Sequence, residues 1–145
     1  MVPSPTVRKR DSDDGALYSV RGLTKIYGSG PTAVHALRGV ELDLPKSAMI
    51  VLLGASGSGK STFLNIIGGL DDATAGQVFF DGMELTALGP SQLTEYRRNS
   101  VSFVFQFYNL VASLTARENV ALITEIAEDP MTPKEALEMV GLGNR

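Results

Sequence analysis

Residues 54–61 read Gly54-Ala55-Ser56-Gly57-Ser58-Gly59-Lys60-Ser61 and match the phosphate-binding pattern G-x-x-x-x-G-K-[ST]. The apolar run 49–53 precedes this loop, and Lys60–Ile67, with helical spacing, follows it. Between a strand and a helix, the backbone N–H groups of such a loop surround an anion, and the helix directs its positive end at it. The stretch therefore predicts an α/β fold of the P-loop NTPase type that binds nucleotide phosphates.

Each position of the loop has a predicted role in this chemistry. The glycines let the backbone approach a phosphate without Cβ obstruction. Lys60 is predicted to reach the β- and γ-phosphates, and the hydroxyl of Ser61 to bind Mg²⁺. The predicted phosphate-binding residues are Gly54, Ser56, Gly57, Ser58, Gly59, Lys60, Ser61 and Thr62.

The rest of the chain extends the α/β pattern. Segment 49–53 is apolar at every position, which is typical of a strand buried on both faces of a parallel sheet. In segment 40–44, apolar and acidic residues alternate, which is typical of a strand buried on one face. We therefore expect a mainly parallel sheet with an antiparallel β element from the N-terminal part. Strands are predicted at 18–23, 40–44, 49–53, 76–80 and 101–105, and helices at 60–67, 91–99, about 116–126 and 133–140. Capping boxes at Thr115/Glu118 and Thr132/Glu135 open the last two helices.

Composition bounds the class of protein. The chain has 145 residues, 43% of them hydrophobic and 20% charged, which suits a globular domain. It has no cysteine and one histidine, which excludes disulfides, thiolate zinc sites and two-histidine sites. The net charge of −3 does not favour nucleic acid as a partner. Residues 1–15 are predicted to be a flexible tail, 16–145 to form the domain, and the protein to be soluble and cytoplasmic.

Four further motifs carry a resemblance to a known family. Tyr27 follows Leu-Thr-Lys-Ile at 23–26; 64–71 read Leu-Asn-Ile-Ile-Gly-Gly-Leu-Asp; 103–106 read Phe-Val-Phe-Gln; and 114–120 read Leu-Thr-Ala-Arg-Glu-Asn-Val. In this order and spacing, from about Leu17 to the last residue, the chain resembles the ATP-binding domain of ABC transporters. It is most similar to the lipoprotein-releasing and macrolide-export types.

The resemblance implies roles for residues outside the loop. Tyr27 matches the aromatic residue that stacks on adenine, and Gln106 matches the glutamine that binds Mg²⁺ or the attacking water in catalysis. The apolar residues after it, Phe107, Tyr108, Leu110 and Val111, match the region that receives a membrane-spanning permease subunit. The implied cofactors are ATP and Mg²⁺. The implied assembly is a dimer with a second ATP-binding domain, peripheral at the inner face of the cell membrane.

The resemblance covers only the N-terminal part of the family's domain. In the family, the signature motif, the catalytic glutamate and the switch histidine follow the position of Arg145. We therefore expect this chain to bind ATP without turnover. Two alternatives stay open: a non-hydrolysing nucleotide-binding regulatory fragment, and another P-loop kinase or NTPase. The stretch 105–120 argues against another P-loop kinase or NTPase.

Overall fold

A computed structural model describes residues 15–105, 108–127 and 129–143 of the chain. They form two compact units divided after Arg97, here called the β unit (15–97) and the helical unit (98–143). The predicted flexible tail, apart from Gly15, lies outside the described residues. Across the described ranges, no helix has the length and apolar character needed to cross a membrane.

The β unit is built on a four-stranded antiparallel sheet of order β2-β1-β3-β4. Val20, Leu23 and Val78 are 0% exposed and form the centre of its core. Val20 of β1 pairs with Val78 of β3, and an irregularity in the strand register lies between Val20 and Leu23. Asp81 and Gly82 join β3 to β4, and both have the positive φ that a tight two-residue hairpin turn requires. The strands are β1 (Ala16–Tyr27), β2 (Val34–Pro45), β3 (Ala75–Phe80) and β4 (Met83–Glu84).

The described sheet contains the predicted antiparallel β element and no parallel pair. The strand predictions for 49–53 and 101–105 are wrong in this structure, where neither segment forms a strand. A strand exists only through hydrogen bonds to a neighbouring backbone, and no described strand pairs with either segment. Met49 and Leu53 are accordingly 93% and 88% exposed instead of buried on both faces.

The four helices found among the described residues agree with their predicted positions within a few residues. They are α1 (Lys60–Ile67), α2 (Pro90–Ser100), α3 (Ala116–Thr124) and α4 (Pro133–Met139). Both capping boxes are confirmed: the hydroxyls of Thr115 and Thr132 accept the N–H of Glu118 and Glu135, whose carboxylates bond back. Two short 3-10 turns lie at Gly30–Thr32 and Leu85–Ala87.

An aromatic cluster fastens α2 within the β unit. The ring of Phe80 on β3 lies between Tyr18 of β1 and Tyr96 of α2, with centroid distances of 5.1 and 5.2 Å. Tilted and edge-on contacts of this kind place the positive edge of one ring against the negative face of another. On α1, Phe63, Ile66 and Ile67 are buried, which orients the helix that follows the glycine loop.

Candidate functional site

A cleft of about 370 Å³ in the β unit connects the end of β1 with the glycine loop. Tyr27 lies at one part of its wall, and the loop and the first turn of α1 form another. Its volume is in the range of small-ligand sites. The cleft is lined by Tyr27, Val34, Ala36, Ser56, Gly57, Ser58, Gly59, Lys60, Ser61 and Thr62. It therefore brings together most of the residues that the sequence indicated.

Gly59 ends the loop at a point where no other residue fits. Its φ of +89° lies in the left-handed region, which favours glycine. A Cβ at this position would lie 2.5 Å from the backbone oxygen of Ala36 and 2.9 Å from Leu37 Cδ2. The loop is thus pressed against β2, which fixes where α1 begins.

The N-terminus of α1 differs from those of α3 and α4. Gly59 provides no side-chain cap, and the first turn of α1 contains no acidic residue. The other two helices each have a threonine cap and a glutamate in the first turn. The free N–H groups and partial positive charge at Lys60 therefore stay available to an anion, as a phosphate site requires.

Lys60 lies within the loop that it is predicted to serve. Its Nζ donates to the backbone oxygens of Gly54 and Ala55, both at 2.8 Å, and to Ser58 Oγ at 3.2 Å. These three acceptors hold the ammonium group beside the first turn of α1. An incoming phosphate can replace them, because an oxyanion is a stronger acceptor for an ammonium than a carbonyl is.

The remaining predicted residues differ in how they relate to the cleft. Ser61 is exposed on its wall, so its hydroxyl is accessible to a metal ion. Gly54 lines a neighbouring cavity of about 250 Å³ and contributes to the site through its bond with Lys60. Gln106 and Phe107 lie outside the described residues.

The helical unit presents the apolar segment that follows Gln106. Tyr108 and Leu110 are 75% and 67% exposed, and Val111 is also exposed. Asn119 of α3 holds the end of this segment: its Oδ1 accepts the N–H of Val111 at 2.8 Å, and its Nδ2 donates to the carbonyl of Leu114 at 3.1 Å. Sequence reasoning included Asn119 in a motif but assigned it no role, because its partners are loop backbone groups that have no sequence signal.

The β unit also contains two contributors that sequence reasoning missed. Val34 and Ala36 of β2 line the cleft, and neither residue belongs to a recognisable sequence motif. Their side chains carry no chemistry, so only the pairing of β2 with β1 reveals that they belong to the site.

Comparison with known proteins gives consistent matches. A model of the ABC transporter family matches residues 37–145. The chain is 44% identical to a lipoprotein-releasing system ATP-binding protein, LolD, of Geobacter metallireducens, over 90% of this chain and 60% of that protein. It is 40% identical to a macrolide export ATP-binding/permease protein, MacB, of Aggregatibacter actinomycetemcomitans, over 89% of this chain and 21% of that protein.

Solved structures agree with these matches. A dimeric ATP-binding cassette in a post-hydrolysis state, bound to ADP and Pi, superimposes with a TM-score of 0.76 at 38% identity. The match covers 86% of this chain and 56% of that one, so the P-loop NTPase fold is confirmed and the chain corresponds to its N-terminal part. The glycine loop lies on a helix without a side-chain cap and shares a cleft with Tyr27. Together with the family match over residues 37–145, these features show that this chain belongs to the ABC transporter family.

Proposed function

We propose that this chain is the nucleotide-binding part of an ABC transporter ATPase and that it binds ATP with Mg²⁺. The observation that carries the proposal is a cleft whose wall contains both an aromatic ring and a phosphate loop. A nucleotide has the same two parts, a flat base and a charged phosphate chain. Family membership supports ATP as the nucleotide.

In the proposed complex, Tyr27 stacks on adenine, and the loop from Gly54 to Thr62 surrounds the phosphates. Lys60 provides a charge-assisted bond to them. The hydroxyl of Ser61 and the amide oxygen of Gln106 are the proposed protein ligands of Mg²⁺, which suits a cation that prefers oxygen ligands. When bound, the ion would neutralise phosphate charge during hydrolysis in the complete protein, where Gln106 would orient water.

The proposed partners are a membrane permease and a second ATP-binding domain. Tyr108, Leu110 and Val111 are exposed and apolar, as a docking surface for a permease segment would be. The bonds of Asn119 to Val111 give this surface a defined shape. Such docking would place the protein at the inner face of the cell membrane. Relatives described as lipoprotein-releasing and macrolide-export proteins support export or release as the coupled process.

Titration of the chain with a fluorescent ATP analogue in the presence of Mg²⁺ tests the proposal. Lys60→Ala removes the charge-assisted contact and is expected to weaken binding by about 1.5–3 kcal/mol. Lys134→Ala is the matched control, since Lys134 lies on α4 in an exposed pair with Glu138, 3.7 Å apart. Equal affinity of the wild type and Lys60→Ala would refute the proposal.

A further inference from the structure

The hydroxyl of Tyr27 is bonded to a carboxylate that no motif of the phosphate loop includes. Tyr27 Oη donates to Asp71 Oδ2 at 2.6 Å. The other carboxylate oxygen, Oδ1, lies 2.5 Å from Lys25 Nζ, which also donates to the backbone oxygen of Asp72 at 2.6 Å. Both oxygens of Asp71 are therefore used, one by the ring of Tyr27 and one by a lysine two residues before it on β1.

Lys25 also contacts the ring of Tyr27. Its Nζ lies 4.8 Å from the ring centroid, a distance at which a cation is attracted to the π face. The side chain of Lys25 is only 12% exposed, whereas Tyr27 is 41% exposed and lines the cleft. The ring is thus held at its hydroxyl and over one face, while part of its surface stays open to the cleft.

The position of Asp71 is itself fixed from two directions. The backbone N–H groups of Leu70 and Asp71 donate to the carbonyl of Asn65 in α1, at 2.8 and 3.3 Å. A few residues later, Thr74 Oγ1 accepts the N–H of Ile26 of β1 at 3.0 Å. Asp71 consequently connects the C-terminal end of α1 to the end of β1.

The charge of Asp71 is stabilised in this arrangement. Burial raises the pKa of its carboxyl, but hydrogen bonds from Lys25, Tyr27 and the Asp72 N–H lower it by more, so the pKa lies below its usual range. The carboxylate is therefore ionised at neutral pH and accepts from both neighbours.

We propose that Asp71 and Lys25 are positioning residues that hold the ring of Tyr27 ready for a nucleobase, an inference that rests on the function proposed above. An exposed tyrosine at a strand end rotates freely, and a ligand that stacks on it must restrict that rotation. Restricting the rotation costs conformational entropy. If the ring is already fixed before the ligand binds, that cost is avoided, which corresponds to about a 3- to 10-fold gain in affinity for one side chain. The gain applies only to ligands that have a base.

The test compares MgATP with magnesium tripolyphosphate, which has the phosphates without the base, by calorimetric titration of the full chain. Tyr27→Phe keeps the ring and removes the anchoring hydroxyl; Asp71→Asn keeps the size of the side chain and removes its charge. Each is expected to weaken ATP binding about 3- to 10-fold and to leave tripolyphosphate binding within about twofold. The double variant is expected to bind ATP about as well as either single one, because both changes break the same contact.

Three results would overturn the inference. ATP affinity unchanged in both variants would show that the contact does not prepare the ring. An equal loss for ATP and tripolyphosphate would show general damage to the cleft. Additive losses in the double variant would show that the two residues act separately.

Lys60→Ala separates this inference from the function on which it rests. If Lys60→Ala weakens both ligands and the Asp71 variant weakens neither, only the positioning role fails. If the wild type binds neither ligand, the proposed function fails and the inference fails with it.

Discussion

The phenol of Tyr96 donates a buried hydrogen bond of 2.6 Å to the backbone carbonyl of Ile67, the last residue of α1. Because the single hydroxyl hydrogen of Tyr96 is used there, Tyr18 donates to Tyr96 Oη in turn, also at 2.6 Å. Arg97 adds a bond of 2.6 Å to the carbonyl of Gly69. Two consecutive residues of α2 thus bond to the last carbonyl of α1, which has no helical partner, and to a carbonyl of the turn that follows the helix.

Tyr96→Phe is expected to reduce the free energy of unfolding by about 1–3 kcal/mol, because it leaves the buried carbonyl of Ile67 without this donor. Tyr18→Phe is the matched control, because it removes the other hydroxyl of this hydrogen-bonded series but leaves the bond from Tyr96 to Ile67 intact. We expect it to reduce the free energy by about 0.5–1.5 kcal/mol. Urea unfolding followed by circular dichroism measures both. A larger loss in Tyr18→Phe would contradict the assigned donor order.

Gly59→Ala is expected to destabilise the protein more than Gly57→Ala. Both glycines have positive φ, +89° and +77°, so both substitutions strain the backbone. Only the new Cβ at position 59 meets other atoms, 2.5 Å from Ala36 O, whereas nothing lies within 4 Å of one at position 57. Because of this collision, the free energy of unfolding of Gly59→Ala is expected to be about 1–3 kcal/mol lower than that of Gly57→Ala. Thermal melting of the two proteins side by side measures it, and equal melting temperatures would show that β2 does not press on the loop.

The capping boxes of the helical unit are expected to weaken in acid. Bonds from the backbone and then the hydroxyl of Thr115 lower the pKa of Glu118, and bonds from the hydroxyl and then the backbone of Thr132 lower that of Glu135. A carboxyl whose pKa is lower in the folded state stabilises the fold fully above its unfolded pKa of about 4.3. That stabilisation is lost as the pH falls through the folded pKa.

Helix content measured by circular dichroism should therefore decrease from about pH 5 downward, before the sheet signal changes. Carboxyl chemical shifts in an NMR titration report each glutamate directly. Thr115→Val and Thr132→Val remove the hydroxyls and are expected to raise the two pKa values towards that of a free glutamate. If the two carboxyls titrate identically with and without the threonines, the boxes do not form in solution.

The apolar segment 49–53 is expected to promote self-association. Met49, Val51 and Leu53 are 93%, 67% and 88% exposed, and exposed runs of this kind mediate association between chains. Val51→Lys should reduce the apparent mass in light scattering at high protein concentration. Leu64→Lys replaces a half-exposed apolar residue on α1 and is the control, with no expected change. A wild-type chain that scatters as a monomer of 15.5 kDa would rule the segment out as an association surface.

Helix starts were predictable from the sequence because their determinants are local. The threonine and the glutamate of each capping box are three residues apart, and the bonds between them form wherever the helix forms. The glycine loop is similar, since Gly59, Lys60 and the helix after them are consecutive. The prediction of α1 therefore agrees with the structure at both ends.

The segment 49–53 shows what the sequence pattern does not contain. Five consecutive apolar residues indicate a strand that is buried on both faces, but they do not indicate which other strands of the protein pair with it. Asp71 illustrates the same point within the site: it bonds with Tyr27 from 44 positions away, and no spacing rule connects the two. Pairings between distant residues depend on the folded topology and were not predictable from local patterns.

The contacts of Lys60 with its own loop have a consequence for the selectivity of the proposed nucleotide site. Because Gly54 O, Ala55 O and Ser58 Oγ already satisfy the ammonium group, a ligand gains only the difference between its own bonds and the three it displaces. A monophosphate nucleotide has no β-phosphate to offer in exchange, so under the proposed function the lysine would stay on the loop and that ligand would be held by its base and one phosphate. In the proposed site, discrimination between nucleotides of different phosphate length would therefore arise from an exchange of acceptors at Lys60.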